Sequence, residues 1–331
     1  MLIVGAGLAG SLLALALREL DQPVTLIDRP DPGPTATTAS YGVLPGFPLG
    51  TSALARQVAS AADLWRALQS RYGDLGWSPR QRLPVPLSQV DSSVLERQLP
   101  ALLERLGVEQ VSAEVQGLER CGDRWRLHCS AGAALEADQL VLAAGAGCRG
   151  IWPQLPAPLR CSWAGVLALP HWPSSAGSPA LHLPARFRRP QLERRAPQLR
   201  APEAVVDAGL VPRGEGALLG QISWIDGALE CGPAPDPGRS EALLRAALPA
   251  QWAALEGRWL QMPVAFCSDG LPLVGPVPGA PGLFCFSGFS GAFAQVPLLA
   301  PLLAQFMAGS PGAEAALQRL QVWAPARSAP G

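Results

Sequence analysis

The sequence predicts an α/β fold in which a parallel-sheet nucleotide domain is interleaved with a mixed, mostly antiparallel β-sheet domain. Three observations carry this. A strand, glycine turn, helix and second strand span Met1–Asp28, a further buried strand ends in glycine at Gln139–Gly145, and after Trp152 short strand-like runs alternate with prolines. Leu2–Val4 has no polar residue and reads as a strand buried on both faces. Gly5 permits the tight turn, Gly7 lets the backbone approach a pyrophosphate, and Gly10 lets helix and strand pack closely. The apolar run Leu8–Leu20 is the helix, and its N-terminal amides favour an anion. Val24–Ile27 is the second strand. Asp28, eighteen positions beyond Gly10, stands where a carboxylate accepts hydrogen bonds from a ribose.

A turn cluster, Pro30-Asp-Pro-Gly-Pro34, leads into Thr35-Ala-Thr-Thr-Ala-Ser-Tyr-Gly42, whose hydroxyls and amides suit phosphate binding or helix capping. Ser52–Tyr72 carries apolar residues at helical spacing. Gln81–Leu87 alternates as a short strand, and Asp91–Leu106 is a helix closed by Gly107. Val108–Val115, Trp125–Cys129 and Leu135 read as a small sheet at the edge of the nucleotide domain. Gln139–Ala144 is a buried parallel strand. Beyond it, strand-like runs lie at Ala164–Leu169, Ala204–Val206, Leu210–Val211 and Ala217–Ile222, with one helix at Arg239–Leu248. Leu283–Phe286 is again a strand, followed by the loop Ser287–Phe293 and a helix from Val296 to Met307. The expected domains are therefore discontinuous: residues 1–78, 91–152 and 264–322 bind the dinucleotide, 79–90 and 153–263 form the second domain, and 323–331 are a loose tail.

Acidic and basic residues number 26 each, so the formal net charge is +0. This removes the electrostatic case for a nucleic-acid partner or an anionic membrane surface. All the basic residues are Arg, which excludes lysine chemistry, and there is no Asn. Seven Cys, an odd number with no Cys-x-x-Cys, argue against a metal cluster and a disulfide framework, and so for a reducing, cytoplasmic setting. Phosphate-loop spacing explains the apolar N-terminus better than a signal peptide does. No transmembrane segment and no metal are expected; the oligomeric state is left open.

Four segments in this order resemble the D-amino-acid-oxidase-type (glycine oxidase- and sarcosine oxidase-like) FAD-dependent oxidoreductase superfamily, which also includes the oxidase module of a tRNA-modifying enzyme. They are Leu2–Asp28; Thr37-Thr-Ala-Ser40 with Gly42-Val-Leu-Pro45; Ala137–Gly145; and Asp269-Gly-Leu-Pro-Leu-Val-Gly-Pro276 joined to Ser287–Phe293 and Pro297. Val211-Pro-Arg-Gly-Glu-Gly216 is similar to a strand pair of the family's substrate domain. The resemblance spans nearly the whole chain. It implies a Rossmann-like FAD-binding domain, with substrate held over the flavin against the second domain's sheet. It implies FAD contacts at Gly5, Ala6, Gly7, Leu8, Ala9, Gly10, Asp28, Arg29, Thr37, Thr38, Ala39, Ser40, Val115, Ala144 and Gly145, and at Gly288, Phe289, Ser290, Gly291, Ala292 and Phe293. Two departures stand out. The family places an Arg shortly before Asp-Gly-x-Pro to clamp a substrate carboxylate, whereas Gln261–Ser268 contains none. The loop Ser287–Pro297 is one residue shorter, with Phe289 where a His is often found.

Gly145-Ala-Gly-Cys-Arg-Gly150 spells a second Gly-x-Gly-x-x-Gly, but Pro153, Pro156 and Pro158 follow, so it reads as a turn at a strand end. Six Arg between Arg186 and Arg200 read as a solvated loop, against the alternative of an anion-binding patch. His128 reads as structural; His171 and His182 are weak candidates for a proton acceptor. Tyr41 either reaches the flavin or packs in the core, and Arg213 is the candidate to replace the missing carboxylate contact. The expected activity is oxidation of a C–N bond in a small amine or amino-acid-like substrate, with hydride passing to flavin. The alternatives are a hydroxybenzoate-type flavin monooxygenase, whose usual Gly-Asp-Ala-like segment is not found, and a flavin-binding protein without turnover.

Overall fold

The computed structural model describes residues 1–48, 50–82, 85–130, 132, 134–172 and 181–327, with only the backbone of 81, 82 and 85. Its central sheet has six strands in the order Leu273–Pro276, Leu283–Ser287, Leu140–Leu142, Leu2–Val4, Thr25–Asp28 and Glu109–Ser112. All neighbours run parallel except the edge hairpin Leu273–Pro276/Leu283–Ser287. Burial on both faces explains why the inner strands Leu2–Val4, Leu140–Leu142 and Leu283–Ser287 lack a polar face. Ile3, Leu26, Val141, Phe284 and Phe286 face the helices Leu8–Arg18 and Ala292–Met307. Leu2, Val4, Ile27, Leu140, Leu142 and Cys285 face the other way, onto the Trp125 side of a three-stranded sheet, Val115–Cys121/Arg124–Cys129/Ala134–Ala137.

The helix Ala292–Met307 starts one turn earlier than the sequence suggests and contains Pro297 and Pro301. Pro297 cannot donate to Phe293 O. Trp65 Nε1 does so instead, at 2.7 Å, and its buried ring stacks on Phe293 at 6.1 Å. A side chain from the helix Ala61–Tyr72 thus replaces the missing backbone donor and fixes the start of the terminal helix.

A second, four-stranded antiparallel sheet has the order Glu203–Arg213, Gly216–Ile225, Leu159–Leu169, Arg258–Cys267. One face packs Leu167, Leu169, Leu219 and Ile222 under the helix Pro237–Ala246 through Leu244. The other packs Ala164, Val166, Val211, Leu218, Leu260 and Met262 against Ala39 and Tyr41 of the hydroxyl loop.

Several expectations need correction. Glu109–Ser112 pairs with Thr25–Asp28 and so belongs to the central sheet rather than an edge sheet. The strand expected at Gln81–Leu87 straddles a hairpin of Trp77–Arg82 and Val85–Val90, which pairs in turn with Val43–Pro45; Leu83 and Pro84 lie outside the described residues. Ser52–Tyr72 is broken by a 3-10 turn at Val58–Ser60. Gly145–Gly150, by contrast, is the expected turn at a strand end: a 3-10 turn and one helical turn, Cys148–Ile151, which ends before Pro153. Cys161 and Cys231 form a disulfide across 70 residues; the strand Leu159–Leu169 delivers one partner to a loop the sequence does not place. Residues 323–327 are not loose. Trp323 bridges Val274, Ala324 is buried and Arg327 holds Asp269 at 2.5 and 2.6 Å; residues 328–331 lie outside the described residues. Among the described residues no helix is long and apolar enough to cross a membrane.

Asp91 ties the two sheets together. It caps the helix Ser92–Arg105 through Ser93 N (2.8 Å) and accepts Gly214 N from the second sheet at 2.7 Å. Partial burial pushes its carboxyl up, but hydrogen bonds from the Ser93 hydroxyl and the Gly214 and Ser93 amides outweigh this and hold it below its ordinary value. Its contribution is therefore complete above an unfolded pKa of ~4 and is lost as pH falls through the lower folded value. Asp91→Ala is expected to cost about 1–2 kcal/mol near neutral pH. Asp91→Asn keeps a cap and flattens the acid side of the stability profile. Urea unfolding between neutral pH and pH 3 checks both.

Candidate active site

The carboxyl ends of Leu2–Val4, Thr25–Asp28 and Leu140–Leu142 open onto one crevice, where ligands of such sheets bind. Gly5, at φ +106°, donates to Ile27 O at 2.7 Å, and a Cβ there would meet Ala143 O and Ala144 Cα at 2.6 Å. At Gly10 a Cβ would lie 1.9 Å from Gly5 O; at Gly7 it would meet only Thr37 Oγ1, at 3.3 Å. The first two glycines serve packing, and the third leaves the crevice side of the loop clear. Ser11 Oγ occupies Ala6 O at 2.9 Å. Leu8 N donates to Thr37 Oγ1 at 3.0 Å. Among the described residues no protein acceptor faces the amides of Gly7, Ala9 and Gly10.

Asp28 accepts Ala6 N on one oxygen and Arg29 N on the other, both at 2.9 Å, which fixes the carboxylate beside the loop. Each oxygen keeps a lone pair for a further donor. The Arg29 side chain turns away to Pro32 O at 2.7 Å. Ala113 N donates to Asp28 O at 2.8 Å, so Val115, two residues on, also flanks this end. In the hydroxyl loop Thr35 and Thr38 cap each other at 3.1 Å, Ser40 Oγ accepts Gly42 N at 3.2 Å, and Ser92 Oγ donates to Thr38 O at 3.0 Å. Thr38 and Ser40 therefore shape the loop, and Thr37 alone reaches the first helix.

Gly145 and the C-terminal loop meet through Ser287 Oγ and Gly145 O at 3.3 Å. Gly288, at φ +82°, lies where a Cβ would strike Cys267 Sγ at 2.3 Å. Phe289 packs edge-on to Phe286 at 4.9 Å, Ser290 is exposed, and Gly291 caps the terminal helix. The amides of Ala292 and Phe293, in its first turn, have no intrahelical acceptor. Gln295 Oε1, also in that turn, is buried with no hydrogen-bond partner among the described residues. Two helix N-termini with spare amides, a glycine loop open on one side and an orphaned amide oxygen fit an anionic flavin dinucleotide.

Arg213 does not stand free. Its Nε donates to Ser92 Oγ at 3.1 Å and Nη2 pairs with Glu96 at 3.1 Å. Tyr41 is buried and donates to Gly209 O at 3.4 Å; burial first, then the Asp207 charge, push its phenol far above the ordinary range, so it acts as a neutral donor. No histidine enters the second sheet's inner face: His128 lies near Glu119, His171 is exposed and His182 stacks on Trp252. Burial pushes the Cys148 thiol up to about 11 and Cys267 up to about 12, which leaves both inert at neutral pH. Sequence reasoning missed the helix Arg189–Arg195. Arg189 and Glu193 pair there at 2.7 Å, and Glu193 accepts Ser290 Oγ at 3.1 Å. The i,i+4 spacing of opposite charges was the visible signal.

The family model for FAD-dependent oxidoreductases of the DAO type matches residues 1–100 and 86–306. Over 202 residues, 59% of this chain, the sequence is 32% identical to the tRNA 5-methylaminomethyl-2-thiouridine biosynthesis bifunctional protein MnmC of Caulobacter sp. (strain K31). The match spans 29% of that protein's length. Among solved structures, iminodiacetate oxidase from Chelativorans sp. BNC1 superposes with a TM-score of 0.70 at 19% identity, covering 94% of this chain and 95% of that one. Glycine oxidase from Geobacillus kaustophilus gives 0.68 at 17%, covering 93% and 94%. The crevice, its donors and the matched residues agree: this chain belongs to the DAO family of FAD-dependent oxidoreductases.

Proposed function

We propose that this chain oxidises a C–N bond of a small amine or amino-acid-like substrate at the inner face of its four-stranded sheet. The observation that carries the reading is that face. Ala164, Val166, Leu218, Leu260 and Met262 make it apolar, Tyr41 of the hydroxyl loop packs on it, and Ser290 of the C-terminal loop reaches its neighbouring helix. Bound FAD supplies a hydride acceptor for the carbon that bears the amine. Gly5–Gly10, Asp28, Arg29, Thr37–Ser40, Val115, Ala144, Gly145 and Gly288–Phe293 are proposed to hold it. The spare amides at Ala292 and Phe293 are suited to stabilise negative charge on the reduced ring. No acid–base dyad is needed if the amine arrives deprotonated, and the apolar face keeps water out. The expected bounds, 1–78, 91–152 and 264–322 for FAD binding and 79–90 and 153–263 for substrate, shift at one point in this reading: 264–267 go with the substrate sheet, as part of the strand Arg258–Cys267. The Cys161–Cys231 disulfide removes the cysteine argument for a cytoplasmic setting.

The 32% identity to MnmC over 202 residues favours one more substrate to be tried, an amine precursor of the methylaminomethyl side chain that the biosynthesis named for that protein produces. A net charge of +0 favours a small ligand over a whole RNA. The test is the visible spectrum of FAD-loaded protein, without oxygen, after glycine, sarcosine, proline, D-alanine or a 5-aminomethyl-2-thiouridine carrying an amino-acid-like substituent on its nitrogen is added. Bleaching by one of them is expected. No bleaching by any amine means that C–N oxidation is the wrong reaction, and bleaching by NADPH instead supports the monooxygenase.

A further inference from the structure

The inner face of the four-stranded sheet holds a buried ion pair that the FAD site does not use. The helix Arg189–Arg195 lies on this face: Leu192 and Ala196 pack on Ile225 and Phe266. Phe266 alternates with Met262 and Val264 along its strand, so all three share one side. Asp207, 2% exposed, pins the first turn by accepting Arg188 N and Arg189 N at 2.7 and 3.0 Å. The Arg189 and Glu193 side chains are 16% and 3% exposed. Glu193 takes Arg189 Nε with one oxygen and Ser290 with the other. Arg189 Nη2 extends to Ser162 Oγ at 3.4 Å, and Ser162 stands opposite Val264 on the next strand. Nη1 has no acceptor among the described residues.

Burying a guanidinium costs several kcal/mol unless its donors are met. Here one edge is met by a carboxylate and the other holds a single long contact. We propose that Arg189 binds the carboxylate of an amino-acid-like substrate through its Nη1 and Nη2 edge, with Glu193 as the positioning residue. This rests on the reading that amines are oxidised at this face. The planar fork matches a carboxylate. The position adjoins Val264, within the stretch Gln261–Ser268 that lacks any Arg. Arg213 is committed to Glu96, so the anion contact comes from a helix rather than a strand.

The test is calorimetric titration of FAD-loaded protein with acetate, propionate, glycolate and pyrrole-2-carboxylate, and with their amides. The carboxylates are expected to bind at least ~10-fold more tightly than the amides. Arg189→Met should weaken carboxylates by ~10–100-fold and leave the amides unchanged, with Arg189→Lys between. Glu193→Gln keeps a hydrogen bond but removes a negative charge, so it should tighten carboxylate binding several-fold; a purely structural pair predicts no such gain. If Arg189→Met fails to retain FAD, the wild-type carboxylate-to-amide ratio and Arg189→Lys decide. Equal affinity for both series, or no saturable binding of any carboxylate, overturns the proposal. Arg189-dependent carboxylate binding without bleaching by any amine leaves it standing and sinks the proposed reaction. Bleaching by sarcosine with carboxylate affinity unmoved in Arg189→Met does the reverse.

Discussion

Gly10→Ala is expected to yield protein that is purified without FAD and melts several degrees lower than wild type. The added Cβ would sit 1.9 Å from the Gly5 carbonyl oxygen. No rotamer relieves this, because the backbone fixes the Cβ position and the oxygen is itself a backbone atom. Nor can Gly5 retreat: its amide is tied to Ile27 O at 2.7 Å, and its own Cα faces the Ala143–Ala144 backbone. The first helix must therefore move off the sheet. Overpacking of side chains costs ~1–3 kcal/mol, and a clash between two fixed backbones belongs at or above the top of that range. The displacement also carries off the Gly7, Ala9 and Gly10 amides. Gly7→Ala separates the two effects. Its Cβ would meet only Thr37 Oγ1, at 3.3 Å, so apo stability should stay within ~1 kcal/mol while FAD retention falls. Flavin content and thermal melts of both variants check this. A Gly10→Ala protein that is purified yellow, with an unchanged melting temperature, would falsify the packing role.

The nucleotide unit was legible because its parts are contiguous. Gly5, Gly7, Gly10 and Asp28 act within one strand–helix–strand segment, where local spacing dictates the contacts. The other loops of the crevice were readable only through their resemblance, since nothing in Thr37 announces that it will accept from Leu8. What escaped depends on distant partners. The helix Arg189–Arg195 looks like a solvated Arg–Pro loop until Asp207, on a later strand, caps it and Glu193 neutralises Arg189. Glu109–Ser112 has a polar, alternating texture because it is the sheet's edge, so it resembles a strand from a smaller sheet. The start of the terminal helix was obscured by Pro297, whose missing donor comes from Trp65, far away in sequence. Arg213 shows the converse failure. Its motif was visible, but Glu96 and Ser92 commit its charge.

One side chain gathers the carbonyls of the segment that carries the chain from the central sheet to the second one, and removing it should have the largest effect of any polar substitution outside the crevice. Arg149 is 6% exposed. Its Nη1 donates to Pro153 O and Leu155 O at 2.8 and 2.9 Å, and its Nη2 to Pro156 O and Leu159 O, both at 2.8 Å. Prolines at 153, 156 and 158 deny this turn the amides that would otherwise satisfy its carbonyls. The guanidinium fork replaces them. Arg149→Met keeps much of the apolar stem and takes this donor from four carbonyl oxygens; Pro156 O keeps the Leu159 amide at 3.1 Å, and an oxygen left unpaired and dry costs ~1–3 kcal/mol. Water entering the turn will recover part of that, so a net loss of about 3–5 kcal/mol is expected. Arg149→Lys offers three donors on a shorter reach and should recover less than half. Because Leu159 opens the strand that ends in Leu169, slack here also loosens the sheet face proposed to bind substrate. Urea unfolding measures the first effect, and the KM for whichever amine bleaches the flavin measures the second. If Arg149→Met lies within 1 kcal/mol of wild type, the turn is held by its prolines, and the guanidinium merely fills the space they leave.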